Sequence, residues 1–265
     1  MRRVSINRYQ SIGIKEAWIK NFIKDLDLWF TKNNLGRAQY KSFIYWLIDS
    51  GLIERDKSSY IINKLSEALF QVIPDSKLLW EIIWINLFYN SNLIMTYLQN
   101  FSWGSVLSKN DFVNIVKQSY PQLSERTMKN AFNSLLNTFE NSPLGGTLKI
   151  GLVEKVGRER IVKKIGTDDI HPIAILYSLY RYAISKNRYR LTVSELYRED
   201  NKGGSPYLLF GISRNALENI LRWLSEKFRE YIYVEITADL DNINLCEDIK
   251  NHFILMEDLW RGKKI

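Results

Sequence analysis

Ser108-Lys109-Asn110-Asp111-Phe112-Val113-Asn114-Ile115-Val116-Lys117-Gln118-Ser119-Tyr120, then Pro121-Gln122-Leu123, then Ser124-Glu125-Arg126-Thr127-Met128-Lys129-Asn130-Ala131-Phe132-Asn133-Ser134-Leu135-Leu136-Asn137-Thr138-Phe139 is the stretch that decides the fold. Ser108 with Asp111 three residues on is a capping-box arrangement, so a helix starts there and runs to about residue 120. Pro121-Gln122-Leu123 is a turn. Ser124 caps a second helix, with Met128, Phe132, Leu135, Leu136 and Phe139 on one face. Pro143 and Gly145-Gly146 end it. Residues 147–153 and 160–165 then read as the strands of a long basic hairpin with Gly157 near its tip. Helix, helix and hairpin in that order is the winged-helix order, a variant of helix-turn-helix.

The same order stands on both sides of this stretch. Upstream, Ile14, Trp18, Phe22 and Leu26 predict a helix over 12–30, and Tyr40, Phe43, Ile44, Leu47 and Ile48 a second over 36–50, stopped by Gly51. Strand 52–54, turn 55–58 and strand 59–62 follow. Downstream, a helix over 172–185, a short helix near 192–197 and a longer one over 213–228 precede a hairpin of 231–238 and 242–246, turned by Asp239-Leu240-Asp241, and a closing helix near 255–260. Between the first two stretches lies the longest apolar run, 78–98. Glu81, Asn86, Asn90 and Asn92 interrupt it, so it is expected as a core helix broken near Asn90-Ser91-Asn92 and not as a membrane span. Trp80, Ile83, Trp84 and Leu87 should be central. The expected fold is mainly α: a helical bundle with three winged-helix-like units carrying short β-hairpins, in stretches 1–74, 75–166 and 167–265.

Composition narrows the chemistry. Cys246 is the only cysteine among 265 residues, which excludes an intramolecular disulfide and Cys-based zinc or iron–sulfur sites. The basic N-terminus lacks an apolar segment of the signal-peptide kind. A cytoplasmic protein is expected. His171 and His252 are the only histidines; His171-Pro172 sits at a helix start, where capping is the ordinary role. Asp239-Leu240-Asp241-Asn242 resembles the opening of a calcium loop, but Asn244 stands at its Gly position and Lys250 at its Glu position. Lys202-Gly203-Gly204-Ser205-Pro206 does not match a phosphate loop, and Pro206 lacks an N–H. No G-x-S-x-G elbow is present. The expectation is a protein without catalysis, metal or cofactor.

The charge points elsewhere. Lys and Arg number 37 against 29 Asp and Glu, a formal +8, which suits a polyanionic partner. Removing the apolar face of the second helix leaves Arg126, Lys129, Asn130, Asn133 and Asn137 outward. Arg and Lys suit guanine edges or phosphates, and Asn pairs bidentately with adenine. The hairpin adds Lys155, Arg158, Arg160, Lys163 and Lys164, suited to phosphate contacts. DNA or RNA contact is one reading of this set. A solvated helix face on a protein-interaction module is the other. Arg37, Lys41, Arg55 and Lys57 make the first stretch a weaker case, and Arg214, Glu218, Arg222 and Glu226 make the third a solvated or protein-facing surface.

Phe43-Ile44-Tyr45-Trp46-Leu47-Ile48-Asp49-Ser50-Gly51-Leu52-Ile53, Trp80-Glu81-Ile82-Ile83-Trp84-Ile85-Asn86-Leu87, Ser124-Glu125-Arg126-Thr127 and Leu176-Tyr177-Ser178-Leu179-Tyr180 carry a resemblance. Through them the chain resembles a bacterial and archaeal domain family of defence and DNA-modification gene islands. It looks like the C-terminal region attached to, or encoded beside, phosphoadenosine-phosphosulfate-reductase-like proteins there. The reductase-like proteins carry an S-G-G-x-D-S nucleotide loop. Gly203-Gly204-Ser205 lacks its leading Ser and its Asp, so the resemblance implies the accessory portion and a reductase-like partner. Two functions are thus expected as alternatives: a non-enzymatic accessory protein contacting DNA, or a scaffold for a reductase-like or nuclease partner.

Overall fold

The computed structural model describes residues 6–57, 59–63, 66–67, 69–70, 77–237 and 239–261, with the side chains of Asp27, Trp260 and Arg261 outside the description. The chain forms two compact units: residues 1–66 with 86–166, and residues 67–85 with 167–265. The expected stretches are a different division, since 1–74 and 75–166 both feed the first unit. Helices predominate, but eight strands in three small antiparallel sheets among the described residues make the chain mixed α/β rather than simply α.

The first unit opens with a strap, residues 6–15, and helices α1 (Glu16–Lys24), α2 (Leu26–Trp29) and α3 (Arg37–Asp49). The single helix expected over 12–30 is therefore two. Asp25, at φ −147° and ψ 68°, leaves helical geometry between them. Residues 12–15 are not helical, and Gly13 among them lies against another helix: a Cβ there would stand 2.2 Å from the backbone nitrogen of Thr138. The hairpin β1 (Ile53–Asp56) and β2 (Ser59–Ile62) follows, in register Asp56↔Ser59 and Arg55↔Tyr60. Its turn is shorter than the expected 55–58, with Lys57 at φ 48°.

The apolar run behaves as its interruptions predict. It forms α4 (Lys77–Asn90) and α5 (Asn92–Asn100), parted at Ser91, whose hydroxyl accepts from the Ile94 N–H. Trp80, Ile83, Trp84 and Leu87 are all buried. Residues 77–85 of α4 belong to the second unit and 86–90 to the first.

Then come β3 (Val106–Leu107), α6 (Lys109–Ser119), α7 (Glu125–Glu140), β4 (Leu152–Val156) and β5 (Glu159–Lys163). Ser108 and Asp111 form the expected capping box, and Ser124 caps α7 by accepting from the Thr127 N–H. β5 is the central strand of the sheet, in order β3-β5-β4. The expected strand over 147–153 begins only at Leu152. Residues 144–150 instead turn around buried Leu144, Leu148 and Ile150, held by Leu148 N–H to the Pro143 carbonyl and by the Tyr97 hydroxyl to the Ile150 carbonyl, 2.7 Å.

The second unit repeats this order with α8 (Pro172–Lys186), β6 (Arg190–Thr192), α9 (Val193–Leu196), α10 (Pro206–Phe210), α11 (Arg214–Lys227), β7 (Ile232–Ile236), β8 (Asp241–Leu245) and α12 (His252–Arg261). The sheet order is β6-β8-β7, again with the last strand central. His171 caps α8 by accepting from the Ile173 N–H, and Trp84 donates its indole N–H to the Leu209 carbonyl, 2.8 Å. Among the described residues no helix is long and apolar enough to cross a membrane.

Candidate nucleic-acid interface

Charge divides sharply between the two units. The first carries 22 Lys and Arg against 11 Asp and Glu, a formal +11; the second carries 15 against 18, a formal −3; together they give the chain's +8. The whole excess of positive charge belongs to the unit that contains α7 and the β4–β5 hairpin. All nine candidate residues lie in that unit.

α7 is amphipathic, with Met128, Ala131, Phe132, Leu135, Leu136 and Phe139 buried. Its opposite face runs Arg126, Asn130, Asn133, Asn137, a 4-3-4 spacing that forms one stripe along a helix. The strap closes the carboxyl half of this face. Asn137 donates to the Ser11 carbonyl (2.7 Å), Ser134 to the Ile12 carbonyl (2.9 Å), and the Glu16 N–H to the Asn141 carbonyl (2.8 Å). Arg126 and Lys129 remain exposed and Asn130 and Asn133 half-buried, so the open part is the amino half. Lys129 pairs with Glu125 at 2.5 Å, and this contact holds the Glu125 carboxyl below the usual carboxylate range.

Strand alternation splits the basic hairpin. Val162 is buried against the helices, and Arg160, two residues away, faces the same side. Arg160 reaches α7, donating to Glu140 (2.8 Å) and to Asn137 (3.3 Å). Its cross-strand partner Lys155 lies on that side as well, exposed, and Arg158 sits exposed in the two-residue turn with Gly157 at φ 62°. Lys155, Arg158 and Arg160 therefore continue the stripe of α7 beyond Asn137.

The other two hairpin cations do not join them. Lys163 falls on the outer face of the sheet, paired with Glu154 at 2.8 Å. Lys164 returns to the inner face and is 1% exposed. It donates to the carbonyls of Leu98 (3.2 Å) and Phe101 at the end of α5, under the rings of Trp103 and Tyr97. A cation at a helix carboxyl end is the favourable sign there. Lys164 is thus a core residue, which could not be read in advance because the basic run 163–164 looks the same whichever face each residue takes. Among the described residues, Arg126, Lys155 and Arg158 are the exposed cations of the candidate set that make no ion pair.

The corresponding surface of the second unit is spent on itself. Arg214 pairs with Glu218 (2.8 Å) and Asp241 (3.4 Å), Arg222 donates to the Ile236 carbonyl, and the hairpin position matching Lys155↔Arg160 is Glu235↔Asn242. Among the described residues, no group of three or more His, Cys, Asp or Glu side chains is placed to hold a metal ion.

The fold has counterparts among solved structures. Two crystal structures of SspB, one of them magnesium ion-bound, superpose with a TM-score of 0.72 at 15% sequence identity, over 98% of this chain and 87% of that one. At that identity the likeness establishes the fold. No family model matches the chain, and no curated protein matches it.

Proposed function

We propose that this chain is an accessory protein that contacts duplex DNA, in a DNA-modification or defence system, and that it does so without carrying the chemistry itself. In this reading β3–β5 with α6 and α7 form a winged helix: α7 enters the major groove by its amino half, and the β4–β5 turn grips the flanking backbone. The observation that carries it is the charge division, +11 in the unit with α7 and −3 in the other. Phosphate neutralisation dominates affinity for DNA, so a binding surface belongs where cations are in excess and unpaired. Arg126, Lys155 and Arg158 meet that condition, and Asn130 and Asn133 stand beside Arg126 to meet base edges. The recognition helix of such folds presents its amino-terminal residues to the bases, which is the half that the strap leaves open.

A gel-shift titration over salt tests it. The parent should bind duplex DNA with an affinity that falls steeply as salt rises, and Arg126→Ala/Lys155→Ala/Arg158→Ala should lower the slope by about three, one per lost phosphate contact. An unchanged slope in the triple variant would remove this surface from DNA binding.

A second reading, a scaffold that docks a reductase-like or nuclease partner, has one observation in its favour. The outer face of the β3-β5-β4 sheet exposes Val106 (53%), Val156 (58%) and Ile165 (46%). Apolar patches of this kind mark protein-interaction surfaces. Retention of a reductase-like partner by the triple variant, with no DNA bound by the parent, would favour it.

A further inference from the structure

The first hairpin is built to the same plan as the basic one. β1–β2 closes on Asp56↔Ser59 and β4–β5 on Val156↔Glu159, and in each the residue after the first strand has positive φ, Lys57 at 48° and Gly157 at 62°. One position back, Arg55↔Tyr60 matches Lys155↔Arg160. Ile53 is buried, so alternation sets Arg55 and Tyr60 on the helix side of their hairpin, as it does Lys155 and Arg160. Tyr60 stacks on Phe30 at 6.0 Å and lies near Tyr40 of α3; burial and this second phenol raise Tyr40 above its ordinary range. Arg37 and Lys41, four apart on α3, flank Tyr40. Arg37, Lys41, Arg55 and Lys57 are all exposed, and none makes an ion pair among the described residues. Glu54 takes the opposite side of the strand from Arg55. In α7 and its hairpin, by contrast, Lys129, Arg160 and Lys163 are each held by a carboxylate.

We propose that α3 and the β1–β2 hairpin are a second DNA-backbone contact of the first unit, so that this unit grips duplex DNA at two hairpins. The inference rests on the DNA reading above and adds a site to it. Unpaired cations are the ones free to exchange condensed counterions for phosphates, and here four of them gather around one helix–hairpin pair.

The test uses the full chain and a fluorescent duplex DNA, with anisotropy measured across salt. Arg37→Ala/Lys41→Ala/Arg55→Ala/Lys57→Ala should lower the salt slope by up to about four, one per lost phosphate contact, and weaken binding at least about tenfold at fixed low salt. The charge-keeping variant Arg37→Lys/Lys41→Arg/Arg55→Lys/Lys57→Arg should retain the parent slope. If the alanine variant keeps the parent slope while Arg126→Ala/Lys155→Ala/Arg158→Ala loses it, the second contact is refuted and the α7 surface stands. The reverse pattern supports the first hairpin and removes α7 from the interface. Equal loss in the alanine and charge-keeping variants overturns the proposal, because the effect is then not one of charge.

Discussion

The ammonium of Lys164 lies 4.4 Å from the centre of the Trp103 ring and at the same time closes the end of α5 through the Leu98 and Phe101 carbonyls. A lysine in a strongly basic segment is here a structural cation. Lys164→Ala leaves two buried carbonyls without a donor and opens a void. It should cost about 1–3 kcal/mol, the range for leaving a buried neutral acceptor unsatisfied. Urea unfolding measures it. The salt dependence of DNA binding, read on the folded fraction, should not move.

Trp84 is the central side chain of α4, fully buried with its indole N–H on the Leu209 carbonyl. Trp84→Ala should cost about 3–5 kcal/mol by lost burial and cavity formation. A loss under about 1 kcal/mol in equilibrium unfolding would contradict this placement.

A buried carboxyl and a half-buried imidazole give the second unit opposite responses to pH. Glu81 accepts from the His171 backbone N–H and sits 3.8 Å from Lys77; burial pushes its carboxyl up from 4.5 to about 7. The folded state keeps the Glu81 proton where the unfolded state has lost it, so stability declines as pH rises from about 4.5 to about 7. His252 lies against Arg181, and burial together with that guanidinium lowers its ring from 6.5 to about 3. The unfolded state takes up a proton that the folded state refuses, so stability declines as pH falls from about 6.5 to about 3. The two slopes oppose each other between about 4.5 and 6.5. Glu81→Gln should leave stability rising across that window, and His252→Gln should leave it falling. Thermal melts across pH check both signs.

Asn130 stands between Arg126 and Asn133 on the open half of α7. An amide paired with adenine discriminates by about 1–3 kcal/mol. Asn130→Ala should therefore weaken preferred duplexes more than random ones and leave the salt slope as it is, which competition binding measures. Equal weakening on all sequences would make Asn130 a backbone contact.

Much of the fold was legible because local chemistry governs it. Ser108, Ser124 and His171 announce their helices by capping, and Asn90-Ser91-Asn92 announces the break between α4 and α5. β3 and β6 were not legible: two and three residues long, they exist through pairing with β5 and β8, far along the chain. The non-helical residues 12–15 lie where Gly13 approaches the backbone of α7, a long-range contact that periodicity does not encode. The basic residues of the candidate interface were visible as a group, but not their sorting. Which of Arg160, Lys163 and Lys164 faces the helix, the outer side or the core follows from a register set by distant strands. The division of charge is largely present along the sequence, +9 in residues 1–166 and −1 in 167–265, and the fold sharpens it by assigning residues 67–85, which carry −2, to the second unit.

The strap has a mechanical consequence. The Ile12 carbonyl accepts from the Trp46 indole (3.0 Å) and from Ser134 (2.9 Å), so one atom joins α3 to α7. Gly13 lets that junction close to backbone contact. α7 is therefore pinned to α3 through its carboxyl half, while Met128 and Phe132 pack the inner side of its amino half and leave the Arg126 face open. The helix that carries Arg126 and the helix that carries Arg37 and Lys41 thus share one backbone oxygen as a common anchor.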